Sequence, residues 1–526
     1  MKITQQTLIL ITAIFLAASA NLTFFGRVLE SYPLSIDNLG FLLTLPVIMC
    51  GVLILLLSLL CYRGTCRPIL SLFIIIGALS AYFTDRFGTI IDTTMIQNML
   101  ETNSAEAADL ITPHLLVRLV LFGLLPIFIL WRVKLSYAGM RKELHSRLTL
   151  IGSTLVIMLV CIFSFGSHYS SFAREHKPLR YFINPTYPLY SAMKYFRQSG
   201  ESEQRPMTTI GADARIPESD IQRELIILVV GETARADHFS LNGYPRKTNP
   251  LLEQEPRLYS YTQIASCGTS TAVSVPCMFS NLGHETFEID AARYQDNALD
   301  ILQRSGVSIL WRDNNSSSKD VALRVPYEDF KSPSTNSVCD VECRDVGMLA
   351  GLQEYINKQP GDILIVLHQM GNHGPAYYKR YPAEFERFTP ACQTSELAEC
   401  SEEEITNAYD NAILYTDYFL SQAIDLLKRN TPAYETTLIY LSDHGESLGE
   451  HGVFLHGMPY AMAPDAQTHV PLLLWFGESA DVDLTTIESR SRTPNTQDAV
   501  FHTLLNVFEI DSDALDKSKL LYDTDE

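Results

Sequence analysis

"TTLIYLSDHGESLGEHG" (Thr436–Gly452) changes character halfway. Its first part is aliphatic and β-branched; from Ser442 onward it gathers Asp443, His444, Glu446, Glu450 and His451 among glycines. A short uncharged run of this kind, closed by glycine, reads as a buried strand. Four further runs match it: "ELIILVV" (Glu224–Val230), "GVSILW" (Gly306–Trp311), "DILIVLH" (Asp362–His368) and "VPLLLWF" (Val470–Phe476). Helix-like stretches lie between several of them, such as "NAYDNAILYTDYFLSQAIDLLKR" (Asn407–Arg429). Buried strands alternating with amphipathic helices predict an α/β fold with a central, mostly parallel sheet.

Ligands of such sheets lie beyond the carboxyl ends of the strands. There the chain places Glu232, then His368 and His373, then Asp443, His444, Glu446, Glu450, His451 and His456. Carboxylates and imidazoles at converging strand ends are the ligand set of zinc or a similar divalent ion. Glu232, Asp443 and His444 can supply three ligands from two strands, with one position left for a nucleophile or substrate oxygen. Singly, each has a plainer explanation, an acid in a first helical turn or a capped turn at "SDHGE". Together at matching strand ends they favour a metal centre.

"CGTSTAVSVPC" (Cys267–Cys277) brackets three hydroxyls with two cysteines. A hydroxyl is a poor nucleophile unless a base or metal activates it. The run can place Thr269, Ser270 or Thr271 at a helix N-terminus, where backbone N–H groups favour an anion. A Cys267–Cys277 disulfide would hold the loop rigid. Spacing does not choose among the three, and a Ser/Thr N-cap in a stapled loop is the competing explanation.

The first third of the chain is different in kind. Five apolar runs, roughly Thr7–Phe25, Leu39–Tyr62, Pro68–Thr84, Leu115–Trp131 and Leu148–Gly166, each approach the ~20 residues needed to cross a bilayer. The first ends in Ala18-Ser19-Ala20, which resembles a signal-peptidase site; a retained span is the expectation, and cleavage would leave the downstream orientation unchanged. The loops "CYRGTCR" (Cys61–Arg67) and "RVKLSYAGMRKELHSR" (Arg132–Arg147) are basic, whereas Asp85–Leu110 is acid-rich and lacks lysine. The positive-inside rule puts the basic loops in the cytoplasm and everything after Gly166 outside it. Cysteine usage agrees. Of ten cysteines, Cys50, Cys61, Cys66 and Cys161 lie in or beside spans. The rest form close pairs: Cys267 with Cys277, Cys339 with Cys343, Cys392 with Cys400. Local disulfides suit an oxidising compartment, although six cysteines permit many pairings and a zinc cluster around "CDVEC" is the rival. The net charge of −20 argues against nucleic acid as partner. The expected division is a five-span membrane domain over 1–166, a linker with short membrane-surface helices over 167–216, and an extracytoplasmic domain over 217–526.

"VVGETARADHFSLNGYPRKTNP", "CGTSTAVSVPCMFS", "WRDNNSSSK", "GNHGPAYYKRYP" and "SDHGESLGEHGVFLHGMPYAMAP" closely resemble the lipid A phosphoethanolamine transferases, bacterial inner-membrane enzymes with a periplasmic domain of the alkaline-phosphatase/sulfatase type. The resemblance covers essentially the whole chain. It implies that Thr271 is a nucleophile forming a phosphoethanolamine–enzyme intermediate, and that Glu232, Thr271, Asp443 and His444 surround one zinc ion. It further implies that Asn315, Lys319, His373, Glu446 and His456 meet the phosphoethanolamine group or a second metal. His373 or His456 is then the proton shuttle. Asn98, Thr102 and Glu106 recur every fourth residue, as on one helix face, and by resemblance help hold the donor lipid.

The implied reaction moves phosphoethanolamine from phosphatidylethanolamine to lipid A, weakening the binding of cationic peptides such as polymyxin. A monomer is expected. Alternatives are transfer to an inner-core sugar or periplasmic glucan, or a phosphodiesterase or phosphoglycerol transferase of the same superfamily. A sulfatase is disfavoured, because Met278 in "SVPCM" stands where its formylglycine motif needs Arg.

Overall fold

The computed structural model describes residues 2–102, 104–202 and 206–522. The chain divides into two compact units. One comprises Met1–Ile96 with Ile111–Gln198, the other Gln97–Leu110 with Ser199–Glu526.

The first unit is helical. Ile36–Leu60, Cys66–Phe87, Pro113–Arg132 and Met140–Ser164 are long and apolar enough to cross a membrane; Gln5–Ser19 and Leu22–Ser31 together form a further candidate bent by 59°. The first predicted span is therefore not one straight helix, and two buried amides explain the break. Asn21 Nδ2 donates to the carbonyls of Leu16 (3.1 Å) and Asn184 (3.0 Å), while Asn184 Nδ2 donates to the Ala20 carbonyl at 3.2 Å. Carbonyls that a continuing helix would use are satisfied by side chains, so the helix can end without leaving them unpaired. The predicted linker is largely helical, with Gly166–Glu175 and Thr186–Ser202 its main elements.

The second unit is built on an eight-stranded sheet. Its strands are β1 (Glu224–Gly231), β2 (Leu258–Ala265), β3 (Ser308–Asp313), β4 (Tyr327–Asp329), β5 (Ile363–His368), β6 (Glu435–Ser442), β7 (His469–Phe476) and β8 (Asn495–Thr496). The spatial order is β8-β2-β7-β6-β1-β5-β3-β4. β7 runs antiparallel to both β2 and β6, and the remaining neighbours are parallel. The sheet is thus mixed.

β1 and β6 are buried along their whole length, which is why both read as uninterrupted apolar runs rather than alternating ones. Successive β1 side chains still point to opposite faces. Ile226, Leu228 and Val230 join one core with Val275, Leu302 and Leu504. Leu225, Ile227 and Val229 join another with Ile413, Phe419 and Leu427 of the helix Glu402–Asn430. That helix opens on a capping box between Ser401 and Glu404. The five runs read as strands are all strands here; β2, β4 and β8 were not anticipated. β2 is largely half-buried and carries Ser260, Thr262 and Gln263, so it lacks the aliphatic signature of a central strand.

Candidate metal centre and active site

Strand register assembles the site. β1 and β6 are parallel, with Gly231 opposite Ser442, so Glu232 and Asp443 leave their strands at one level. The ligand atoms of Glu232, Asp443 and His444 lie within 4.8 Å of one another, and all three residues are buried. Gly371 lets the next loop approach. Its φ is +50°, and a Cβ there would meet the Glu232 carbonyl oxygen at 2.8 Å.

Each candidate ligand is oriented by a second bond. Asp443 Oδ1 accepts from the N–H groups of Thr233 (3.1 Å) and His444 (2.7 Å), while its Oδ2 is buried without a hydrogen bond. His444 Nδ1 lies 2.9 Å from the Gly445 carbonyl. A carbonyl only accepts, so Nδ1 carries the proton and Nε2 of the neutral ring presents a lone pair. That nitrogen sits 3.5 Å from Glu232 Oε1, 3.2 Å from Asp443 Oδ2 and 3.4 Å from Thr271 Oγ1. Burial, reinforced by His456, holds His444 well below the usual imidazole range, and burial pushes Asp443 upward. Acceptors facing one another in a buried site repel unless a cation lies among them. The donor set therefore fits a divalent metal ion.

Thr271 begins the helix Thr271–Met278. Its hydroxyl donates to Glu232 Oε2 at 3.2 Å. Thr269 instead donates to the Met458 carbonyl at 2.6 Å, and Ser270 is the N-cap. Of the three hydroxyls, Thr271 is the one that faces the ligands. Cys267 and Cys277 are bonded beneath it, as are Cys339 with Cys343 and Cys392 with Cys400.

Asn315 Nδ2 donates to Glu232 Oε2 (2.7 Å) and to the Gln369 carbonyl (2.8 Å), so it steadies Glu232. Glu446 is fully buried, with Oε1 accepting from Tyr377 Oη at 2.7 Å and Oε2 2.8 Å from His456 Nδ1. Both its oxygens are engaged by protein. The His456 ring centroid lies 4.3 Å from that of His444 and 5.4 Å from that of His373. Burial and then His456 hold His373 well below the usual range. His368 stays within β5, fully buried and 3.0 Å from Asp313.

A family model described as Sulfatase matches residues 224–510, and one described as Phosphoethanolamine transferase EptA/EptB matches residues 49–199. Phosphatidylethanolamine transferase Mcr-1 of Escherichia coli is 46% identical, over 97% of this chain and 96% of that protein. The chain belongs to the phosphoethanolamine transferase family. EptA of Escherichia coli strain K12 is 40% identical, covering 96% of the transferase described here and 94% of its own length. The integral membrane protein lipooligosaccharide phosphoethanolamine transferase A from Neisseria meningitidis superposes with a TM-score of 0.95 at 33% identity, covering 99% of both chains.

In the transferase, Asn98 lies in the helix Thr93–Glu101, and Thr102 Oγ1 donates back to the Asn98 carbonyl at 2.6 Å. The Glu106 side chain lies outside the described residues. Lys319 is nearly enclosed, 6% exposed at its side chain, with Nζ 3.4 Å from Glu101 Oε2. Sequence reasoning missed Glu101, Tyr377 and Gln497. Gln497 is fully buried; its Oε1 accepts from Cys267 N–H (2.7 Å) and its Nε2 donates to the carbonyls of Ser442 (2.8 Å) and Asp443 (2.6 Å). It ties the Thr271 loop to the ligand strand, and a lone glutamine in a loop carries no local signal of that task.

Proposed function

We propose that this chain transfers phosphoethanolamine from phosphatidylethanolamine to lipid A through a covalent intermediate on Thr271. The ion is zinc, held by Glu232, Thr271, Asp443 and His444. The observation that carries this reading is the Thr271 hydroxyl, set at a helix start between Glu232 and His444. When bound, zinc supplies Lewis acidity, lowering the Thr271 hydroxyl pKa and polarising a phosphoryl oxygen.

Thr271 Oγ1 passes its proton to Glu232 Oε2, to which it already donates at 3.2 Å, and attacks phosphorus; the bond from phosphorus to the diacylglycerol oxygen breaks, and that oxygen takes up a proton. His456 is placed to give it. Its Nδ1 is fixed by Glu446, leaving Nε2 as the exchanging atom. In the second half the acceptor oxygen loses its proton to the same residue and displaces Thr271, whose Oγ1 recovers its proton from Glu232. Lys319 meets the charge that grows on the phosphoryl oxygens, His373 lies beside the same group, and Asn98, Thr102 and Glu106 hold the donor.

The charge pattern of the loops supports a bacterial inner-membrane protein with five spans. On this reading 1–166 is the membrane domain, 167–216 the linker and 217–526 a periplasmic catalytic domain, acting as a monomer with a resistance role against polymyxin. Intact-protein mass measurement after incubation with phosphatidylethanolamine tests the proposal. A phosphoethanolamine adduct is expected on the wild type and is absent in Thr271→Ala; an unmodified wild type with bound zinc refutes it.

A further inference from the structure

Gln97–Leu110 lies in sequence between helices long and apolar enough to cross a membrane, yet it groups with the catalytic unit. Two acids fasten it there. Glu101 Oε2 faces Lys319 Nζ at 3.4 Å, and Gln97, itself 8% exposed, donates from Nε2 to Glu101 Oε1 at 2.8 Å. At the other end Asp109 pairs with Lys379 and, at 3.2 Å, with Arg380. Arg380 Nε donates in turn to the His373 carbonyl at 2.6 Å. One segment therefore braces both the Lys319 ammonium and the backbone at His373.

The loop carrying Lys319 needs such bracing. Lys319 and Asp320 have φ of +50° and +70°, two successive non-glycine residues in the left-handed region, which persists only where surroundings over-determine it. Arg293 Nε holds Asp320 at 2.9 Å, and Ser317 Oγ accepts from the Lys319 N–H at 3.2 Å. An ammonium this enclosed needs a fixed counter-charge to remain where it is. Gln97, Glu101, Ala272 and Lys319 line one cavity, and Ala272 follows Thr271 directly in the helix.

We propose that Glu101 is a positioning residue for the transfer reaction, acting through Lys319 by fixing its ammonium beside the Thr271 helix, with Asp109 anchoring the same segment at His373. This rests on the reading above in which Lys319 meets the phosphoryl group. A charge that stabilises the transition state must already be aimed when chemistry begins. Loss of Glu101 frees Lys319 to move toward other anions such as Asp320, so turnover suffers more than donor binding.

The test uses the full-length chain in detergent with phosphatidylethanolamine, following single-turnover formation of the Thr271 adduct and the donor KM. Zinc content and thermal midpoint serve as controls for folding. Glu101→Gln is expected to slow adduct formation at least about tenfold with KM within about threefold, in keeping with the cost of ångström-scale misplacement. Because Glu101 acts through Lys319, the double variant Glu101→Gln/Lys319→Met is expected to be no slower than Lys319→Met alone. Wild-type rates in Glu101→Gln, or losses that multiply in the double variant, overturn the proposal. Should Glu101→Gln lose zinc or thermal stability, Gln97→Met removes the donor that orients Glu101; a slower adduct supports the role and an unchanged one overturns it. Absence of an adduct on the wild type removes the transfer reading and this role with it, and is distinguished by failing before any variant is compared.

Discussion

The two ends of the central sheet both gather buried carboxylates, and they handle them differently. At the carboxyl end Glu232 and Asp443 share their space with a neutral imidazole, a hydroxyl and two backbone N–H donors. At the amino end Glu224 opens β1 and Glu435 opens β6, with Asp362 immediately before β5 and Asp220 and Asp481 nearby. There acids face acids. Burial, then Glu435, pushes Glu224 up to about 10, and burial, then Asp481, pushes Glu435 up to about 7. Among the described residues, the close carboxylate–imidazole ligand set of this sheet is at the carboxyl end. Burial of carboxylates alone does not make a metal site; convergence of mixed donors does. One end is suited to balance its charge with a cation, the other with protons.

The largest expected effect breaks the carboxyl end. Asp443→Asn keeps an acceptor for the Thr233 and His444 N–H groups but removes the charge and the unpaired Oδ2. Metal content should fall and adduct formation should drop by about 10³-fold or more, since a metal-assisted nucleophile loses its activation. Chelator should lower the thermal midpoint of the wild type, by the equivalent of about 3 kcal/mol at a hundredfold excess of free metal over Kd, and leave Asp443→Asn unmoved. Elemental analysis and a thermal scan with and without chelator decide it. A variant that still binds metal would make the two ends alike.

A smaller loss is expected two residues beyond the cluster. Glu446→Gln retains an acceptor for Tyr377 but no longer holds His456 by charge. Turnover should fall about 10- to 100-fold, the range for groups that orient a metal ligand or a proton carrier, while metal stoichiometry stays that of the wild type. Metal lost from Glu446→Gln would instead extend the metal centre to Glu446 and His456.

The contrast also explains what could be read without coordinates. Glu232, Asp443 and His444 were legible because an apolar run has little choice but to become a central strand, and parallel register then aligns whatever follows it. The hydrogen-bonded positions of the Asn315, Glu446 and Gln497 side chains were not. Each is set by a partner far away in sequence, at separations of 83 for Asn315–Glu232 and 230 for Gln497–Cys267, and an amide or acid in a loop looks the same whatever it will meet. The bend at Asn21 was hidden for the same reason, since its partner is Asn184. The amino-end acids gave no warning either. Glu224 reads as the polar start of a strand, Glu435 lies just outside the run that begins at Thr436, and only the pairing of β1 with β6 sets them opposite one another.

The smallest effect sharpens the amino end. Glu224 is 7% exposed and held protonated by burial and by Glu435, Asp481, Asp362 and Asp220 around it. Its folded pKa of about 10 lies above the ordinary 4.5, so the native state binds the proton more tightly than the unfolded chain does. Its contribution to stability is complete below the ordinary value and is eroded as pH rises across the window between the two. Glutamine imitates the protonated acid and does not titrate. Glu224→Gln should therefore change little at pH about 4 and stabilise increasingly above it, by roughly 1–2 kcal/mol near pH 8 once relaxation of the neighbouring acids is allowed for. Thermal midpoints of both proteins at acidic and mildly alkaline pH measure the difference. A gap that does not widen with pH means that Glu224 is ionised in the native state, and an ionised acid among four others requires a bound cation, which would turn the amino end into a second metal site and erase the contrast.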